Sequence, residues 1–487
     1  MSSSTAASST PNRPSPSSPT SGVRDVRTAR LMDRSAVQLR DDLAAGTVSA
    51  REVTEAALAA AEAHADLGAF TALDPDAARA RTAQLDDTPR ADRGPVHGLP
   101  LAFKDLIDVA GIPTRFGSAL TADAAPATED DPLVRQLSGA GAVTLGKTTV
   151  PEFGLDAHSD TPGGATARNP LDPSRTAGGS SGGAAAAVAA GILPFAPGSD
   201  GGGSIRIPAA ACGLVGLKPG RGTVPTDPHL DSVRNLTVSG PLAHTVPDAA
   251  LLFDAMTTTA PDDGRALADV QRTLARLASG DPPRPLRIGV TARSPFAGHL
   301  EISVATSAWA ALTQAGALLD GMGHEVAETT PDYGPDFHHN FRVLWTSNLL
   351  QAPLPPDAAE HVGALAASFL REASARSVRE VRDVVGNLED WARGVRAQFA
   401  SVDVVMTPVL AFAPPEVDSF LALSPEENYV RQCQFTPYTS MVNVLGLPAV
   451  SVPVFDDEQG LSWSVQLIGR PGTEVELLCL AATLEAR

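Results

Sequence analysis

The chain has 487 residues, 43% of them hydrophobic, and a formal net charge of −19. That is ample material for a large core, and it excludes the basic face that a nucleic-acid partner would require. No apolar run approaches the roughly 20 residues of a membrane span. The three cysteines, Cys212, Cys433 and Cys479, are spaced for neither a disulfide framework nor zinc, so a reducing, cytoplasmic setting away from membranes is expected.

Residues 1–25 are rich in Ser, Thr and Pro and too poor in apolar groups to offset their ordering entropy, so they read as a disordered tail. They lack the basic and apolar regions of a secretory signal. Residues 26–487 read as a single domain. The stretch 31–64 predicts two helices, the second preceded by Gly46 and the N-cap-type Ser49. LPLAFKDLIDVAG (99–111) predicts a strand ending in the polar pair Lys104–Asp105. Residues 132–140 predict a helix, Ala142–Leu145 a buried strand, and Ala184–Ala190 a helix between two glycine-rich loops. Residues 260–285, polar and proline-bearing, predict a connection. Beyond it come a strand at 286–290, a helix at 301–320, a largely helical stretch at 356–400, and strands at 402–410 and 447–454. Alternating strands and helices predict an α/β fold: one large domain with a mixed sheet covered by helices on both faces.

The chemistry concentrates in TAGGSSGGAAAAVAAG (176–191) and GSDGGGSIRIPAA (198–210). Glycines at this density let backbone N–H groups converge on a reacting atom. A serine closing the run Gly201, Gly202, Gly203 is what an oxyanion hole beside a hydroxyl nucleophile needs. Such a nucleophile, Ser204, requires a base. Of the ten histidines only His158 lies near this region in the sequence. The chain holds just three lysines, Lys104, Lys147 and Lys218, against a combined Lys and Arg count of 37. Lysine can give up its proton where arginine cannot, and burial would bring its pKa toward neutrality, so Lys104 is the candidate base.

The blocks FKD (103–105), GAVTLGKTTVPEFG (141–154), RNPLDPSRTAGGSSGG (168–183), SDGGGSIRIPAAACGLVGLKPGRG (199–222) and GLPAVSVP (446–453) resemble the amidase signature family over roughly residues 30–487. Ser180 and Ser204 stand 24 positions apart. The resemblance implies a Ser204–Ser180–Lys104 triad: Ser204 the nucleophile, Ser180 a proton relay on a cis peptide bond, Lys104 the general base and then acid. It implies an oxyanion hole from Gly201, Gly202, Gly203 and Ser204, no metal and no cofactor, and hydrolysis of a small carboxylic amide through an acyl-enzyme, with esters and carbamates also fitting. Gly201 departs from the family, which often carries a larger residue there, so local pocket shape is expected to differ.

Two further motif matches are present. GAVTLGKT (141–148) matches a phosphate loop, but residues 142–145 read as the strand itself and not as a flexible cradle, leaving Lys147 structural. GGSSG (178–182) matches the nucleophile elbow of α/β-hydrolases, which needs a strand before it, whereas 172–177 reads as a loop. Within the resemblance, a glutaminase-type subunit of a tRNA-dependent amidotransferase is the alternative, distinguished by dependence on partner subunits. Asp200 and Arg206 are expected to form an ion pair that orients the loop, Lys218 to be a surface or packing residue, and His338–His339 to lack a third metal ligand. Phe153, Gly154, Leu155, Trp345 and Phe435 are the expected pocket walls, in a monomer or homodimer.

Overall fold

The computed structural model describes Met1 and residues 31–161, 164–225, 232–257, 272–280, 284–352 and 354–485. The tail expected over residues 1–25 lies, Met1 apart, outside the described residues, as does most of the connection expected at 260–285. Within the described part of that connection, Arg272–Ala278 is a helix. Asp254 accepts the N–H groups of Thr273 and Leu274 at 3.2 and 3.0 Å, which caps the first turn.

The two N-terminal helices, Ala36–Ala45 and Ala50–Ala63, are each opened by a reciprocal capping box, Ser35 with Gln38 and Ser49 with Glu52. Strands β1 (Phe70–Leu73), β2 (Pro100–Lys104) and β3 (Val143–Thr148) form a small sheet in the order β1-β3-β2. Strands β4 (Arg168–Asn169) and β5 (Asp172–Thr176) form a separate ribbon. The main sheet has eight strands: β6 (Phe195–Asp200), β7 (Val215–Lys218), β8 (Val238–Ala243), β9 (Arg287–Val290), β10 (Glu325–Glu328), β11 (Val404–Pro408), β12 (Ala449–Asp456) and β13 (Ser462–Ile468). Their order is β10-β9-β11-β13-β12-β7-β8-β6. β9 runs parallel to β10 and β11; the other pairings are antiparallel.

The two-residue period of the central strands separates two cores. Val404, Met406, Val450, Val465 and Leu467 enter one, with the helices Val246–Thr257, Thr306–Gly321 and Glu474–Glu485. Val405, Ala449 and Ile468 enter the other, under the helices Phe337–Asn348, Ala364–Ala375 and Val378–Phe399. The sheet is thus mixed and covered on both faces, as expected. Among the described residues no helix is long and apolar enough to cross a membrane.

β6 and β8 carry no strand signal in the sequence. They pair Pro197 with Pro241 and Gly198 with Gly240. Proline is tolerated in β6 because that strand is the sheet edge, where a missing N–H breaks no ladder. The predicted helix at 184–190 spans Gly182–Ala189 and is buried on every side. A Cβ on Gly183 would stand 2.3 Å from the Thr149 nitrogen and 2.5 Å from the Ala69 oxygen. Gly183→Ala is therefore expected to cost about 1–3 kcal/mol through overpacking, read as a lowered denaturant midpoint against Gly386→Ala as control, a helical position where a Cβ meets nothing within 4 Å.

Candidate active site

β2 ends at Lys104, beside β6, and the side chain is 1% exposed. Its Nζ lies 2.8 Å from Ser180 Oγ, 3.0 Å from Ser199 Oγ and 3.2 Å from the Ser199 carbonyl oxygen. Burial pulls the Lys104 pKa down to about 7, against an opposing pull from the Asp200 carboxylate. The Gly179–Ser180 peptide bond is cis. The Ser181 N–H donates to the Ser204 carbonyl at 3.2 Å, which brings the two glycine-rich segments side by side.

The loop bearing Ser204 is wound around Asp200. Both carboxylate oxygens bond Arg206, at 2.9 Å each. Asp200 also accepts the N–H groups of Gly203 (2.7 Å) and Ile205 (3.2 Å) and the Asn443 amide (2.9 Å). Burial alone would raise its pKa, but the Arg206 charge and these donors hold it well below the usual carboxylate range. Arg206 reaches on to the Thr439 carbonyl and to Gln466 and Asn443. The expected ion pair is therefore the hub of a buried network. It also corrects the expected donor set. The Gly203 N–H is taken by Asp200, and Gly203 serves instead through its φ of 130° and the absence of a Cβ, which would stand 2.4 Å from Thr439 Oγ1. The N–H groups of Gly201, Gly202 and Ser204 have no acceptor among the described residues.

Ser204, 7% exposed, stands between two cavities. The larger, about 260 Å³, is walled by Lys104, Ser180, Leu106, Phe116, Phe153 and Trp345 among others. The smaller, about 60 Å³, runs past Gly202 to Phe296, Phe341, Phe369, Tyr429, Gln432 and Asp156. Phe153, Gly154, Leu155 and Trp345 line these spaces. Trp345 also occupies the room left by Gly201, whose Cβ would come within 3.3 Å of the indole. Phe435 does not line either cavity. It is 0% exposed and packs on Phe412 and Phe420. The walls missed in the sequence include Phe341, one helical turn before Trp345 on the helix Phe337–Asn348. That i, i+4 spacing was the available signal.

His158 is fully buried, stacked on Phe420 at 4.7 Å, and held near a pKa of about 3 by burial, so it stays neutral, and its ring is not bonded to Ser204. Lys147 lies within β3 and pairs with Asp105 at 3.0 Å, so the phosphate-loop pattern is a strand. The segment before GGSSG is the strand β5, not a loop as expected. It belongs to the ribbon with β4 and not to the main sheet, and the hydroxyl it leads to, that of Ser180, bonds a lysine. Lys218 is buried and bonds the Pro219 carbonyl, in keeping with a packing role.

Removing Arg206 would leave Asp200 charged and dry. Arg206→Met is expected to destabilise the fold by about 3–5 kcal/mol. Adding Asp200→Asn to it is expected to recover part of that loss, checked by denaturant unfolding of the single and double variants.

The same architecture recurs in solved structures. A 6-aminohexanoate cyclic dimer hydrolase matches with a TM-score of 0.82 at 26% identity, over 93% of this chain and 97% of that one. The peptide amidase of Stenotrophomonas maltophilia matches at 0.76 and 27% identity, over 93% and 96%. In sequence, the Mycobacterium tuberculosis relative named for amidase AmiB2 is 38% identical over 401 residues, 81% of this chain and 83% of its own length. Its counterpart AmiA2 is 36% identical over 454 residues, 91% of each. The family model described as Amidase matches residues 52–478. With the glycine-rich serine loops, the buried lysine and this match over most of its length, the chain belongs to the amidase family.

Proposed function

We propose that this protein hydrolyses a small carboxylic amide to a carboxylate and an amine or ammonia, through an acyl-enzyme on Ser204. The observation that carries the reading is the contact of Lys104 Nζ with Ser180 Oγ at 2.8 Å, in a dry site that opens onto the same cavity as Ser204. Neutral Lys104 takes the Ser180 proton as Ser180 takes that of Ser204, and the Ser204 oxygen attacks the amide carbon. The N–H groups of Gly201, Gly202 and Ser204 stabilise the oxyanion. On collapse the C–N bond breaks, Ser180 protonates the leaving nitrogen, and Lys104 returns its proton to Ser180. Water, deprotonated along the same relay, then releases the acyl group as carboxylate and restores Ser204.

The names of the relatives and structural neighbours support a free amidase over the glutaminase subunit of an amidotransferase, since they are amidases and amide hydrolases. In this reading the enzyme works without a cofactor, in the cytoplasm, as a monomer or homodimer. An ester or carbamate would fit the same chemistry.

Because burial lowers the Lys104 pKa, its neutral form is present at and above pH 7 and is lost as the pH falls through about 7. The kcat/KM for an uncharged anilide is expected to be flat above about pH 8 and to drop about tenfold per unit well below 7; a flat profile down to pH 5 removes Lys104 as base. Lys104→Arg keeps the charge but cannot accept the proton. It is expected to lose about 10²–10⁴-fold in kcat and to abolish labelling of Ser204 by a fluorophosphonate, read by peptide mass spectrometry. Near-normal turnover, or an adduct on Ser180 instead, overturns the assignment of roles.

A further inference from the structure

The two cavities that meet at Ser204 are chemically unequal. Lys104 and Ser180, which must face the leaving nitrogen to protonate it, wall the larger one and are absent from the lining of the smaller. The smaller cavity is therefore left for the acyl group. Its sides are aromatic, from Phe296, Phe341, Trp345, Phe369 and Tyr429, yet it also holds a carboxylate, Asp156. Gln432 fixes that carboxylate: its amide donates to Asp156 Oδ1 at 2.7 Å while its own carbonyl accepts the Ala157 N–H at 2.7 Å. Asp156 Oδ2 has no donor among the described residues, and the side chain keeps 11% of its surface. The Ser440 hydroxyl on the same wall is buried and also without a partner.

From this arrangement we infer that Asp156 is a specificity-determining residue that binds a protonated amine carried by the acyl portion of the substrate. The inference rests on the amide-hydrolase reading of the site and names its substrate class: amides whose short acyl chain bears an ammonium group. Among the described residues no cation answers Asp156 from within the protein. The groups facing it are carboxylates or neutral. Glu152 and Asp160 raise its pKa by repulsion, after burial, which is the larger cause. His158 Nε2, 3.7 Å from Oδ1, is kept uncharged by its own burial. Arg342 lies over the Tyr429 ring at 4.8 Å, but Glu372 and Glu426 bond it. His338, tilted against Tyr429, has its pKa pushed down by burial. An unanswered carboxylate among aromatic faces is a cation site: the rings attract the charge and Asp156 neutralises it. Burial raises the Asp156 pKa to about 7, and a bound ammonium would keep it ionised.

The test uses pairs of acyl p-nitroanilides of several chain lengths, one of each pair ending in an ammonium and the other in an isosteric methyl group. At pH 8 the wild type is expected to favour the ammonium member by about tenfold or more in kcat/KM, mostly through KM. Asp156→Asn should bring that ratio to one or below, and Asp156→Glu should keep the preference at an acyl chain shorter by one methylene. A wild type that favours the methyl member at every length, or a ratio unchanged in Asp156→Asn, overturns the inference. If Asp156→Asn does not fold, wild-type inhibition decides: n-alkylammonium ions should bind more tightly than n-alkanols, and equal binding overturns it. Hydrolysis of the methyl-ended anilides without an ammonium preference sinks this inference alone. Failure to hydrolyse any anilide, with no fluorophosphonate adduct on Ser204, sinks the amidase reading itself.

Discussion

Asp200 is a carboxylate with no solvent around it, and much of the site's geometry is the chain's answer to that. Desolvating such a charge costs several kcal/mol even after relaxation, so every lone pair must find a donor. Arg206 supplies two, Asn443 one, and the backbone at Gly203 and Ile205 two more. Those five bonds close the chain from 200 to 206 into a loop with a single workable shape, and Ser204 sits inside it. Through Gln466 and the Thr439 carbonyl, Arg206 carries the constraint to β13 and to the start of the helix Ser440–Leu445. By itself a buried pair contributes little net stability; its consequence here is that the glycine run cannot relax.

The same dryness sets the proton chemistry. All three lysines are buried and their pKa values are all lowered, so scarcity of lysine does not single out the base. Neighbours do. Lys147 is neutralised by Asp105 and tied to Thr114. Lys218 spends itself on a carbonyl. Lys104 meets two hydroxyls, those of Ser180 and Ser199, which can pass a proton on, and has no ion-pair partner among the described residues to hold its charge in place. Asp200 opposes the effect of burial on Lys104 and so keeps its pKa from falling further, near the working range of a base at neutral pH.

The sequence was most legible where the physics is local. The N-cap-type Ser49 marked the second helix, and the glycine density marked the loops around the two serines. β6 and β8 were hidden because Gly and Pro usually argue against strands, and only the edge position of β6 makes Pro197 acceptable. The pocket walls were partly legible. Trp345 was found, but Phe341, one turn away, was not. On the helix Pro425–Phe435, Tyr429, Gln432 and Cys433, with Thr436 just beyond, share the face that lines the smaller cavity. Phe435 lies off that face and joins the core. An aromatic residue in a promising segment carries no information about which way it points; the i, i+3, i+4, i+7 face does.

This division has a consequence for how the molecule can change. Lys104, Ser180 and Asp200 are held by β2, β6 and two glycine loops, all embedded in the core that most of the chain shares. The aromatic walls come instead from the helices Phe337–Asn348 and Pro425–Phe435, which pack in the second core on the opposite face of the sheet. A change at Phe341 or Tyr429 alters the volume offered to the acyl chain while leaving the Asp200 network without a changed contact. The reacting groups and the groups that select a substrate are therefore loaded on different cores. Gly202 is the point where they touch: its carbonyl accepts the Thr439 hydroxyl on one side, and its Cα faces Trp345 and Phe341 on the other. A Cβ at Gly202 would meet those rings at ordinary contact distance, 3.7–3.8 Å, whereas one at Gly203 would stand 2.4 Å from Thr439 Oγ1 and 2.6 Å from Ile207, so Gly203, whose N–H is already taken by Asp200, is the member of the run that must stay bare.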